Sequence, residues 1–428
     1  MDDAARGNDA ARGNGAVRIR HVEPDELVAY NAAKQITFLE DPTVTPPRAD
    51  WLKRVYIPER AWCASDGSAI VGTLRTLPRR LSVPAGPVGT ADVAVDALTG
   101  VTVAATHRRR GLLRAMITES LTAAHDRGDP VAGLIAAEWP IYGRFGYAPA
   151  AQFADGHLDR RRPGARLRRP SRGSLRRVDA DELRQVAPGV FDRARTARAG
   201  HLDRIDADWD RALGPDQQPP GAAPSVAIVH DGPQGVDGFL RWRPSTDFTL
   251  HRGGTVKLDE LFAADQDAYS ALWGYLLDLD VVDQVSFSAR PPDEPLPWLL
   301  EDGRTWQLTE IVDAIWLRLL DVPAALSARG YAAADRLVMD VVDDAPGGYA
   351  TGRFLLDLGP DGVECRPAPG RSADLALSQR ALAAVYLGQP SLRAQHTAGL
   401  VDELTPGALA RADAMFATPL LPWVGTIF

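Results

Sequence analysis

The sequence predicts an α/β chain, α+β in its last third, made of three patterned regions behind a polar tail. Three observations carry this. Between residues 88 and 150, strand-like alternating valines, a charged glycine turn, an amphipathic helix, a short apolar strand and an aromatic loop follow one another. A second region sets several strands around one helix, and a third pairs a hairpin-like segment with helices. The chain of 428 residues is long enough for two to four domains at roughly 100–200 residues each.

The elements can be justified in order. Residues 1–16 contain "DAARGN" twice, with no apolar periodicity, and read as a disordered tail. "VRIRHV" alternates as a strand, "PDELVAYNAAKQITF" has a helical start at Pro-Asp, and "AWCAS" and "AIVGTLRTLPRRLSV" are strands about the turn "DGS". "VGTADVAVDALTGVTVAAT" is strand-like, and the helix "GLLRAMITESLTAAHDRG" follows, stopped by Gly128 and Pro130. "VAGLIAAE" then has buried-strand character and leads into "WPIYGRFGYAPA".

The basic stretch from Asp159 to Val178 reads as a solvated surface connection. Beyond it "DADELRQVAPGVFDRARTARAG" is helical, "SVAIVHD", "VDGFLRWRP" and "GTVKLDELFA" are strands, and "DQDAYSALWGYLLDLD" is a helix. In the third region, "VPAALSARGY", "SADLALSQRALAAVYLG" and "TPGALARADAMFA" read as helices, and "RLVMDVVDD" with "GRFLLDLGPDGVECRPA" as the hairpin-like pair. The end, "LLPWVGTIF", is apolar and aromatic, unlike a frayed tail.

Composition narrows the function. A formal net charge of -8 argues against a nucleic-acid-binding protein and suits attraction of cationic small molecules. No apolar run reaches the roughly 20 residues of a membrane span, and no secretion signal is evident, so the chain reads as cytoplasmic. Cys63 and Cys365 stand in no metal-ligand spacing, and the eight histidines form no HExxH pattern, so neither a disulfide framework nor a metal site is expected. The carboxylates around Asp208 and Asp280 read as caps or solvated faces.

One short stretch runs against the overall charge. "THRRRGLLRAMI" gathers Arg108, Arg109 and Arg110 before Gly111 at the mouth of a helix. A helix N-terminus presents N–H groups without intrahelical partners and a partial positive charge. Glycine lets an anion approach the main chain, so the turn suits a pyrophosphate. GxGxxG is missing from this turn and GxxxxGK[ST] from the whole chain, which takes support from NAD and ATP.

The pattern Arg108-x-x-Gly111-x-Leu113 after "TGVTVAAT" resembles the pyrophosphate loop of GNAT-fold acetyltransferases, with Leu113 in place of the usual small sixth residue. The longer stretches "GVTVAATHRRRGLLRAMI" and "AAEWPIYGRFGYAPA" resemble the Eis (enhanced intracellular survival) family of GNAT N-acetyltransferases. "DVPAALSARGY" and "AVYLG" add to the likeness. The resemblance implies tandem GNAT-like acyltransferase domains, 17–158 and 159–307, then a sterol-carrier-protein-like α+β domain, 308–428.

It also implies acetyl-CoA as acyl donor, without a metal. The strand backbone at Val101, Thr102 and Val103 would lie along the pantetheine arm, where N–H groups can polarise a thioester oxygen. Arg109, Arg110, Gly111, Leu112, Leu113 and Arg114 would hold the pyrophosphate, with Ala137 and Glu138 flanking the cofactor. Tyr142 matches the family's general acid, and a phenol, with an ordinary pKa near 10, can donate at neutral pH; Tyr147 is its rival in the same loop. The free α-carboxylate of the last residue, here Phe428, matches the general base. Phe38 and Trp51 are candidates for the substrate pocket or for the core. The implied acceptors are aminoglycoside-like polyamines, with protein lysines an alternative, and the implied assembly is a homohexamer. A lipid- or sterol-carrying protein is the rival reading from the third region.

Overall fold

In the computed structural model, residues 17–169, 172–213, 223–245, 253–359 and 362–426 are described. The predicted tail 1–16 lies outside them. The chain divides into two compact units, one of residues 17–77 and 96–127 and the other of 78–95 and 128–426. The long strands Ala69–Pro84 and Thr90–Val103 give one half to each.

In the first unit, Arg18–His21 pairs antiparallel with Ala61–Asp66, which pairs antiparallel with the start of Ala69–Pro84. Helices Leu27–Thr37 and Pro46–Val55 precede these strands' return, and Leu112–Asp126 follows the last strand. The last helix buries Leu112, Met116, Ile117, Ser120, Leu121 and Ala124, spaced by three or four as an amphipathic face requires. Gly72 makes close approach of that face possible. A Cβ there would meet Ala64 Cβ at 3.0 Å and Met116 Cε at 3.1 Å.

The second unit holds three sheets' worth of strands. Ile315–Leu319 lies between Val131–Ile135 and Ala148–Pro149, antiparallel to both. A seven-stranded sheet runs Trp306–Asp313, Gln152–Asp159, Val282–Arg290, Gly254–Ala263, Gly235–Pro244, Val226–Gly232, Ser174–Val178. Its one parallel pair, Gly254–Ala263 with Val282–Arg290, is joined by the helix Gln266–Leu277, since a parallel connection needs a crossover. A five-stranded sheet runs Gly362–Pro367, Gly352–Gly359, Arg336–Val342, Leu375–Ser378, Val401–Glu403.

Residues 78–95 belong to this unit because buried ion pairs and main-chain bonds tie them there. Arg79 meets Asp208 at 3.0 Å, Arg195 meets Asp92 at 2.7 Å, and Ser82 N donates to the His201 carbonyl at 2.8 Å.

Two local expectations are corrected. "SADLALS" belongs to a strand, Leu375–Ser378, before the helix Gln379–Val385 begins; its alternate leucines, Leu375 and Leu377, are buried, and it pairs in parallel with Arg336–Val342. The basic stretch after Asp159 is not wholly solvated. Ser174–Val178 is an edge strand, and the Arg160 guanidinium donates to the Leu277 carbonyl at 3.0 Å, satisfying an orphan acceptor at the end of the helix Gln266–Leu277. The acidic run at Asp208 is a helix start whose carboxylates pair with arginines, Asp208 with Arg79 and Asp206 with Arg184.

Candidate active site

The glycine turn lies in the first unit. After the strand Thr90–Val103, a single turn of 3₁₀ helix, Ala105–His107, leads to Arg108, Arg109 and Arg110, all exposed. Arg109 has φ 64° and Gly111 φ 79°, so the chain is twice left-handed before the helix begins. For an arginine that conformation is costly, and such strain is characteristic of functional turns. Gly111 is the N-cap of Leu112–Asp126, and no side chain caps this terminus. Its carbonyl accepts the first helical bond, from Ala115 N at 3.0 Å. The N–H groups of Gly111 to Arg114 therefore precede the intrahelical ladder. Gly111 is exposed, and a Cβ built there meets nothing within 4 Å.

The corresponding helix of the second GNAT-like region differs. Gln266–Leu277 is capped by Asp265, whose carboxylate accepts from Ala268 N at 2.9 Å. A carboxylate there opposes an anionic ligand. Of the two helix starts, the one at Gly111 fits a pyrophosphate.

The turn is braced from below. His107 Nε2 lies 3.1 Å from Asp66 Oδ2, and its Nδ1 2.8 Å from Thr106 Oγ1. Arg110 donates to the Thr106 carbonyl at 3.3 Å. Thr102 is buried, its hydroxyl 2.7 Å from that of Thr73, which donates to the Gly100 carbonyl at 2.7 Å. Val101 and Val103 flank it, partly buried. Leu112 is buried, Leu113 half-buried and Arg114 exposed. Thr73 and Asp66 had no signal in the sequence, because their partners lie dozens of residues away. Trp51 is buried with the Arg48 guanidinium 4.3 Å above its ring, and Phe38, at the end of Leu27–Thr37, is exposed.

Tyr142 lies in the second unit. Ala137 and Glu138, both exposed, lead into a four-residue helix, Trp139–Tyr142, and a 3₁₀ turn, Gly143–Phe145, ending at Gly146 with φ 80°. Tyr142 is 7% exposed and packs edge-on against Tyr147 at 6.3 Å between centroids. Burial, reinforced by the Glu138 carboxylate, pushes the Tyr142 phenol up to about 12. It is therefore a neutral donor across the neutral range. Tyr147, the other ring of this pair, is fully buried.

The end of the chain is anchored in the same unit as far as Thr426. Trp423 N donates to the Ala199 carbonyl at 2.9 Å, and its indole N–H to the Ala289 carbonyl at 2.7 Å. Arg204 donates to Thr426 Oγ1 and the Gly425 carbonyl, both at 3.0 Å, while pairing with Glu260 at 2.8 Å. The apolar tail is docked, as its composition suggested. Phe428 lies outside the described residues.

Both cysteines are free and buried, and burial pushes their thiols up, Cys365 to about 12. Neither is poised as a nucleophile. Among the described residues, no group of three or more His, Cys, Asp or Glu could hold a metal ion, and no helix is long and apolar enough to cross a membrane.

Comparison with known proteins gives the family. Residues 18–150 and 200–319 each match an acetyltransferase (GNAT) domain family, and residues 322–425 match a sterol carrier protein domain family. The class is thus an acyltransferase with two GNAT domains and a sterol-carrier-like domain, and a GNAT fold implies use of an acyl-CoA. An uncharacterized N-acetyltransferase of Streptomyces griseus is 39% identical over 383 residues, 85% of this chain and 88% of that one. The N-acetyltransferase Eis of Mycobacterium tuberculosis is 36% identical over 361 residues, 83% of this chain and 85% of its own. The crystal structure of Eis1 from Mycobacterium abscessus superposes with a TM-score of 0.83 at 33% identity, covering 96% of this chain and all of that one. The chain belongs to the Eis family of N-acetyltransferases.

Proposed function

We propose that the chain transfers acetyl from acetyl-CoA to amino groups of aminoglycoside-like polyamines, by direct attack within a ternary complex. The observation that carries this reading is the open, uncapped helix start at Gly111 behind three exposed arginines. Bound acetyl-CoA supplies the activated acetyl thioester. In this reading Arg109, Arg110, Gly111, Leu112, Leu113 and Arg114 bind its pyrophosphate, with Ala137 and Glu138 alongside the cofactor. The main chain at Val101, Thr102 and Val103 lines its pantetheine arm and stabilises developing charge on the carbonyl oxygen.

Tyr142, kept protonated by burial, hands its proton to the departing thiolate. The α-carboxylate of Phe428 accepts the proton of the attacking amine. The mass of negative charge on the chain favours a cationic acceptor. In this reading the enzyme acts in the cytoplasm as a homohexamer.

The test is thiol release from acetyl-CoA by the purified protein, with aminoglycosides, simple polyamines and a lysine-rich peptide as acceptors. Release selective for aminoglycosides supports the reading. Release selective for the peptide moves the substrate class to protein lysines. With acetyl-CoA bound and every acceptor inert, the proposed acceptor class is wrong. Adding three residues after Phe428 should lower turnover at least about tenfold if its carboxylate is the base, because general acid–base catalysis contributes roughly 10²–10⁴-fold; full activity removes that assignment.

A further inference from the structure

The turn that carries Tyr142 is held from one side by a strand that sequence places far away. Ile315–Leu319 runs beside Ala148–Pro149, with Leu317 opposite Ala148 and Trp316 opposite Pro149. Trp316 and Arg318, two apart on a strand, share one face. Trp316 meets Trp139, the first residue of the Tyr142 helix, edge-on at 4.9 Å. Arg318, fully buried, donates from Nη1 to the Phe145 carbonyl at 2.6 Å and from Nη2 to the Pro346 carbonyl at 2.7 Å. Asp343 balances the charge at 3.3 Å, and is itself fixed by the N–H groups of Ala345 and Ala350.

The glycine after Phe145 shows how tight the grip is. A Cβ at Gly146 would lie 3.2 Å from Arg318 Nε and 3.3 Å from Arg318 Cδ, in a residue already at φ 80°. On the other side of the turn, a Cβ at Gly143 would lie 3.1 Å from the Arg380 guanidinium carbon. The "YGRFGY" turn is thus seated on the Arg318 side chain, and its two glycines are where Arg318, at Gly146, and Arg380, at Gly143, come closest to it.

A buried guanidinium is an expensive way to stabilise a loop. Its desolvation is recovered only where geometry is good and the remaining donors are satisfied. Arg318 gives Nη1 and Nη2 to carbonyls, one of them three residues from Tyr142, while its buried Nε has no partner among the described residues, so the desolvation is only partly offset. We propose that Arg318, neutralised by Asp343, is a positioning residue: it fixes the Phe145 carbonyl and thereby the orientation of the Tyr142 phenol. This rests on the reading of Tyr142 as general acid. It gives the C-terminal portion of the chain a part in catalysis that requires no ligand of its own.

The test is a double-mutant cycle with acetyl-CoA and whichever amine the protein acetylates best. Arg318→Met with Asp343→Asn removes both buried charges together, avoiding a lone one. Expected are a fall in kcat of at least about fivefold with the acetyl-CoA Kd unchanged within about twofold, and a further loss of less than about twofold when the pair is added to Tyr142→Phe. Unchanged kcat in the folded pair variant, or losses that multiply with Tyr142→Phe, would overturn the positioning role while leaving the acid assignment intact. If Tyr142→Phe alone keeps full kcat, the acid assignment is what fails. Should the pair variant not fold, Arg318→Lys retains the charge opposite Asp343 but not the fork, and carries the test with the same outcomes.

Discussion

At the scale of single residues, the distinction that matters is between groups with a chemical task and groups that pack. Tyr142 and Tyr147 both sit in one aromatic turn and both are buried. Replacing Tyr142 by Phe keeps the ring and removes the proton. Turnover should fall at least about tenfold with acetyl-CoA affinity nearly unchanged, as measured by steady-state kinetics and direct binding. Gly111→Ala should act in the opposite way: a left-handed residue gains a Cβ at a strain of roughly 1 kcal/mol, and acetyl-CoA binding should weaken more than turnover. His201 makes a residue-scale prediction about stability. Burial, with nearby arginines, pulls its imidazole down to about 3 from 6.5. The unfolded chain therefore binds a proton that the folded one refuses, and stability falls as pH drops below 6.5, down to about 3. His201→Gln should lose less Tm than the wild type between pH 7 and pH 5, by calorimetry.

At the scale of elements, local signals were mostly sufficient. The helix Ala180–Arg195 begins at Asp179, whose carboxylate accepts from Glu182 N at 2.8 Å, with Asp181 and Glu182 in its first turn. Asp179→Ala should cost about 1 kcal/mol in urea unfolding. The helix after Gly111 was legible from the arginines and glycine before its apolar face, whereas only the structure shows that no side chain caps it. "SADLALS" was misread because a run of four strand residues flows directly into a helix, and only its partners, Arg336–Val342 on one side and Val401–Glu403 on the other, identify the strand. The run at Asp159 was misread because charge in a sequence does not say which carbonyl an arginine will reach.

At the scale of the whole chain, Trp423 and Val424, close to the end of the sequence, are part of the second unit's core. Trp423 stacks on Phe262 at 5.9 Å and lies edge-on to His201 at 4.7 Å. Trp423→Ala should therefore destabilise the protein by about 3–5 kcal/mol in denaturant unfolding. Glu260, which holds Arg204 beneath the tail, would be raised by its burial, but Arg204 and Arg241 outweigh that and bring it down to about 2. Its contribution is present above 4.5 and lost as pH falls from 4.5 toward about 2.

The sequence by itself determined the class of this protein and marked the loop proposed to bind the acyl donor. Those depend on contiguous residues: a strand, three arginines, a glycine and a helix start within one short stretch, then an aromatic turn. It could not show that Ile315–Leu319 would enter the sheet beside that turn, or that Arg318 would grip Phe145. Pairings across such separations are chosen by which buried faces and buried polar groups satisfy one another, and that is settled only when the whole chain packs.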